Sequence, residues 1–277
     1  MQIRIATMAL LASVLLAGGA LATPPGPGQH FDCSDGGDTS CAADDEGCVP
    51  ADSLSYKCSS IAGKVIEKAV KGAFSCHAKQ AEMRFQGASE NGAGNSEENC
   101  EDNPGNSVKS KWDAGVAKLT SLGCDAAFVT GVSALGATLF GTGPGSFDGD
   151  NGDAYCQDSA TQALISDDDA GWVALNAGAL KCEVSVAKAL ATLRISALKC
   201  HGKMGATIFR GRDFAEEDCE EVSLAGKGAL AKFNKVRDKL VASTTCPACL
   251  SGSAMDGLAA STISTEDTNN DVVFPCP

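Results

Sequence analysis

Two long stretches of the chain place apolar residues at steps of three and four. The first stripe is Cys58, Ala62, Val65, Ala69, Ala73, Cys76 and Met83; the second is Cys182, Val186, Ala189, Leu193, Ala197 and Cys200. That period predicts a helix over 58–85 and its counterpart in the second half of the chain. A second helix is predicted downstream in each half, over 108–122 and 222–240. Its stripe in the second half is Val222, Ala229, Phe233, Val236 and Leu240, with Trp112 of the first half in the place of Phe233. Shorter third helices are predicted over 126–140 and 249–260. The polar segment 87–105 and the Gly/Asp-rich stretch after each third helix read as loops. No segment alternates as a strand does, so the expected fold class is all-α.

The two halves are copies of one unit. Shifted by 124 residues, Asp44-Asp45-Glu46-Gly47-Cys48-Val49 falls on Asp168-Asp169-Ala170-Gly171-Trp172-Val173, and Cys76-His77-Ala78-Lys79 falls on Cys200-His201-Gly202-Lys203. With small length changes, Glu97-Glu98-Asn99-Cys100-Glu101 matches Glu216-Glu217-Asp218-Cys219-Glu220, Cys124 matches Cys246 and Cys156 matches Cys276. An internal repeat at this spacing sets the architecture. Unit A is read as 44–156, a linker as 157–167 and unit B as 168–277. Residues 1–22 read as a signal peptide, with Arg4, a short apolar run and Ala20-Leu21-Ala22 before the cleavage point. A segment over 23–43 adds Cys33 and Cys41.

Export changes the meaning of the 14 cysteines. An even number in an oxidising compartment favours disulfides over free thiols or metal ligands. Cys58 and Cys76 lie five helical turns apart, roughly 27 Å, too far to bond each other. Both must reach a facing element. An antiparallel hairpin pairs Cys76 with Cys100 and Cys58 with Cys124; in unit B it pairs Cys200 with Cys219 and Cys182 with Cys246. Cys48 stands where unit B has Trp172, and Cys249 where unit A has Ala127. Each half then holds an even number and is expected to close its own bridges, Cys249 and Cys276 included. The architecture is two tandem disulfide-stapled helical hairpins, each with a short third helix, and rich in loops.

Candidate chemistry is sparse. Cys76-His77 and Cys200-His201 lack the C-x-x-C-H pattern of haem attachment, because Ala73 and Ala197 stand three before each cysteine. His77 and His201 recur at equivalent positions and would bind metal only with help from carboxylates such as the Glu97/Glu98 and Glu216/Glu217 pairs. Beside a buried disulfide, a helix histidine answered by an acid is the commoner arrangement. The run Asp148, Asp150 and Asp153, like 267–271, has the alternating oxygens of a calcium loop, although the glycine and distal glutamate of an EF-hand are out of place. Cys246-Pro247-Ala248-Cys249 has the spacing of a thiol oxidoreductase but follows a helix, and reads better as two structural half-cystines. Lysines recur at Lys57/Lys181, Lys64/Lys188, Lys79/Lys203 and Lys118/Lys239. They offer a face for a carboxylate or acidic glycan, or simply solvated positions with neighbours such as Glu67. No nucleophile–base motif occurs.

A formal charge of −13 disfavours nucleic acid and anionic membranes. The elements from Asp168-Asp169 through Leu180-Lys181-Cys182-Glu183, Leu198-Lys199-Cys200-His201, Glu216-Glu217-Asp218-Cys219-Glu220 and Cys246-Pro247-Ala248-Cys249-Leu250 resemble a cysteine-rich helical repeat of exported bacterial proteins without an assigned activity. That resemblance implies a stapled fold and export, and no function. The expected function is a non-catalytic structural or binding module in the periplasm, at the cell surface or outside the cell. It would need no cofactor and would take a protein or glycan partner. The alternatives are a metal- or calcium-binding module and a thiol–disulfide oxidoreductase using Cys246 and Cys249.

Overall fold

The structure is a computed structural model that describes residues 24–31, 46–88, 97–143, 145–156, 170–221 and 226–277, without the side chains at 216 and 217. The expected signal peptide over 1–22, Cys33, Cys41 and the expected linker over 157–167 lie outside the described residues. The fold is all-α and disulfide-stapled, with one isolated bridge between His30 and Cys48 and no strand among the described residues.

Two long helices form the centre, α1 (Ser53–Phe85) and, in chain order, α6 (Ala177–Ile208). Each spans about 50 Å. They run antiparallel in contact: Tyr56 near the start of α1 stacks on Phe209 just past α6, with ring centroids 5.1 Å apart, and Lys199 Nζ meets Glu67 at 3.6 Å. The two helices bury the small residues Ala62, Ala69, Ala73, Ala187 and Ala197, together with Ile66 and Leu193. Small side chains let two helices of this length approach closely without voids.

The remaining helices flank this pair. Unit A adds α2 (Glu97–Glu101), α3 (Val108–Ser121), α4 (Ala126–Leu139) and α5 (Phe147–Ala154). Unit B adds α7 (Glu216–Glu220), α8 (Ala229–Ser243), a 3₁₀ turn over Ala248–Leu250 and α9 (Gly252–Val273). Side-chain caps fix most starts. Asp52, Ser107, Asp125, Ser146, Asn176 and Ser251 each accept from an N–H of the first turn, groups that have no partner within the helix. The Cys58–Cys124, Cys76–Cys100, Cys182–Cys246 and Cys200–Cys219 bridges tie the flanking elements to the central helices, with Cα atoms 5.1 to 5.9 Å apart.

Three sequence expectations are corrected. The helix expected from residue 222 starts at Ala229, after Gly226 and Gly228, with 222–225 outside the described residues. The third helix of unit B begins at Gly252 and runs on through the Asp/Asn-rich stretch to Val273, and its counterpart 147–154 is helical too. The structure thus places these stretches in helices and not in loops. Asp148 and Asp150 sit in the first turn of α5, where the helix end favours negative charge. In α9 the acids and amides with poor intrinsic propensity are held by tertiary partners, which override propensity.

The third correction concerns Cys48, Cys156, Cys249 and Cys276. These four do not pair within their own halves: Cys48 bonds Cys276 and Cys156 bonds Cys249, both across the units. The cause is the way each half ends. Cys48 N–H donates to the Phe274 carbonyl at 2.7 Å, and Trp172 N–H donates to the Tyr155 carbonyl at 2.8 Å. Asn270 Nδ2 donates to the Glu46 carbonyl at 2.6 Å, and Asn151 Nδ2 to the Ala170 carbonyl at 2.9 Å. The tail of each unit thus holds the start of the other, about an approximate two-fold axis. The glycine of the repeated start needs φ of 111° at Gly47 and 120° at Gly171. A Cβ at Gly47 would also lie 2.8 Å from the Phe274 carbonyl oxygen. Trp172 occupies the place of Cys48, so Cys156 pairs with Cys249 instead.

Candidate metal centres

The antiparallel bridges position the histidines. Cys76–Cys100 ties α1 to α2, and α2 delivers Glu97 and Glu101 one turn apart on one face. α5 packs on α1 and brings Asp148. The result is a buried cluster: His77 Nε2 lies 3.4 Å from Glu97 Oε1, 3.2 Å from Glu101 Oε2 and 3.5 Å from Asp148 Oδ1. Unit B repeats it with His201 Nε2 at 3.1 Å from Glu220 Oε2 and 3.4 Å from Asp267 Oδ1. His77 and His201 are each 1% exposed. In each cluster the histidine, one glutamate and the aspartate present donor atoms within 4.8 Å of one another.

Burial opposes a charge on His77, but the carboxylates of Asp148 and Glu101 and the charge of Glu97 outweigh it and hold its pKa well above the ordinary value. Three buried carboxylates surround the one imidazole ring. A single Nε2–H also cannot point at three oxygens at once, and charge-assisted hydrogen bonds of this type are shorter, about 2.7–2.9 Å. Donors bound to one tetrahedral ion at about 2.0–2.2 Å stand roughly 3.3–3.6 Å from one another. The three separations from His77 Nε2, 3.2 to 3.5 Å, are of that size, while His201 Nε2 and Glu220 Oε2, 3.1 Å apart, are within hydrogen-bond distance. Imidazole nitrogen with carboxylate oxygens suits first-row divalent ions such as zinc, manganese or iron.

The other candidate residues go elsewhere. Asp150 reaches Arg194 Nη1 at 2.9 Å, and Arg194 Nε also meets Glu266. Burial pushes the Asp150 carboxyl up to about 6 despite that partner. Asp153 lies in the same helix, away from the His77 donor set, and its pKa is raised by burial. Cys246 and Cys249, the two thiols of the oxidoreductase spacing, belong to different bridges. Glu67 faces Lys199 of unit B rather than a lysine of its own helix.

Sequence reasoning named Glu97 as a possible partner of His77 and missed Glu101, Glu220 and Asp267 as partners of the histidines. Glu101 and Glu220 end the repeated acidic element around Cys100 and Cys219. Asp148 and Asp267 each precede by three residues an asparagine that clasps the other unit. Those shared positions were the available signal. No family model, curated protein or solved structure matches the chain. Six disulfides among the described residues belong to an oxidising compartment, and no described helix is long and apolar enough to cross a membrane.

Proposed function

We propose that this protein is an exported, non-catalytic module that binds one divalent transition-metal ion in each half. The observation that carries the reading is the repeated buried cluster: two copies of one donor set, His77 with Glu101 and Asp148 and His201 with Glu220 and Asp267, built on equivalent elements. In unit A, Glu97 Oε1 also lies 3.4 Å from His77 Nε2. Carboxylates are costly to bury as charges, and a divalent cation among them offsets that cost. Such sites stabilise the fold that contains them, because the unfolded chain offers no preformed set. The signal peptide and the resemblance to exported bacterial repeats support secretion, as does the density of disulfides.

The test is elemental analysis of the oxidised, secreted protein after dialysis against zinc or manganese. Two equivalents are expected for the natural chain, one for His77→Ala or His201→Ala, and none for the double variant. An unchanged metal content in the double variant, with near-ultraviolet circular dichroism preserved, refutes the reading. So does a natural chain that retains no metal and whose melting temperature does not move when either ion is added.

A further inference from the structure

The approximate two-fold axis makes departures from symmetry informative. Between α1 and α6, beside His201, lies a cleft of about 250 Å³, just below the usual range of roughly 300–1,000 Å³ for ligand pockets. Its floor is apolar, with Phe274, Leu198 and Val273, and its polar lining includes Tyr56 and Ser59. Three lysines line it, Lys64, Lys199 and Lys203, against a single acid, Glu67. Glu67 is answered by Lys199 at 3.6 Å. Lys64 and Lys203 therefore supply an excess of positive charge in a chain whose formal charge is −13.

The symmetry-related positions are built differently. Where the cleft has Ser59, Ser60 and Gly63, the other side has Glu183, Val184 and Ala187, all buried. Where it has Glu67, the other side has buried Ala191, and Phe274 is replaced by buried Tyr155. Bulkier side chains thus stand at the equivalents of Ser59, Ser60 and Gly63 on the other side. Two repeat lysines from different units come together only because α1 and α6 run antiparallel.

We propose that this cleft binds a small carboxylic acid with an apolar body. The carboxylate sits between Lys64 and Lys203 at the rim, and the apolar part packs on Phe274 and Leu198. In a chain of formal charge −13, a local excess of positive charge draws an acid toward the cleft. The His201 ring, whose Nε2 faces Glu220 and Asp267, also lines the cleft. The acid site requires no metal.

Benzoate is the probe, titrated into the oxidised full chain by calorimetry and by ligand-observed NMR, with chelator and with added zinc. Benzyl alcohol is the neutral comparator. One benzoate per chain is expected in both conditions, bound roughly tenfold more tightly than benzyl alcohol. Lys64→Gln with Lys203→Gln weakens benzoate by roughly tenfold and leaves benzyl alcohol unchanged. Ser60→Val with Gly63→Ala copies the closed side and weakens both. A Cβ at Gly63 would meet only Val273, at 3.9 Å, so that variant folds. Lys79→Gln with Lys188→Gln, the symmetry-related pair, changes nothing. Absence of saturable benzoate binding, equal affinity for the alcohol, or a larger effect from the Lys79 and Lys188 pair overturns the proposal. Benzoate binding that survives while the metal content is nil separates this site from the metal reading.

Discussion

Glu183 is a fully buried carboxyl whose two oxygens have no hydrogen-bond partner, and Glu183→Gln isolates its effect on stability. Burial pushes its pKa up from 4.5 to about 7. Below pH 4.5 the carboxyl is neutral in both the native and the unfolded chain, and burial carries no charge penalty. Between 4.5 and about 7 the native chain keeps a proton that the unfolded chain releases, so this group makes stability fall as pH rises. Above 7 the penalty is complete, at about 3 kcal/mol. Glutamine keeps the shape and removes the ionisation. It leaves an amide buried, which adds a pH-independent offset. Urea unfolding of both chains, disulfides intact and chelator present, at intervals from pH 4 to pH 8 measures the difference directly. The advantage of Glu183→Gln over the natural chain grows by about 3 kcal/mol across that range, most of it between pH 5 and 7. A difference that stays constant with pH refutes the reasoning and means that the carboxyl reaches water.

Three further outcomes follow from the geometry. Ser146→Ala removes the acceptor for Gly149 N–H at the start of α5; it lowers unfolding stability by about 1 kcal/mol and weakens metal binding in unit A relative to unit B, as read by a two-site titration. Replacing both Cys156 and Cys249 with alanine opens a bridge spanning 93 residues. An upper limit of about 4–5 kcal/mol applies in denaturant unfolding, reduced because Cys182–Cys246 already shortens the free loop. Arg194→Met strands Glu266, which is 0% exposed, and costs about 3–5 kcal/mol, while Arg194→Met with Glu266→Leu recovers much of it; a melting series checks both.

Much of the fold was legible because it depends on spacing. Cys58 and Cys76 on one stripe required a long helix with a partner at each end, and the hairpin that joins Cys76 to Cys100 is what brings Glu97 and Glu101 to His77. The short helix α5 was hidden because Asp, Asn and Gly have low helix propensity. It forms because Ser146 caps it, Arg194 holds Asp150 and Asn151 bonds Ala170. The cross-unit bridges were hidden for a different reason. Counting cysteines in each half says how many bonds form, whereas the partner of Cys48 is decided by the clasp between Gly47 and Phe274. The buried histidine–carboxylate clusters draw on positions as distant as His77 and Asp148, and no local motif spans that interval.

The mutual clasp also sets this architecture apart from an open array of repeats. In a solenoid each repeat leaves an open face for the next, and the array can lengthen at either end. Here the first unit grips the second and the second grips the first, so the start of each is already held within the pair. A single half, by the same logic, carries both a hook and an eye. Two separate halves would meet through the self-complementary contact of a two-fold dimer, with duplication having written that pairing into one chain.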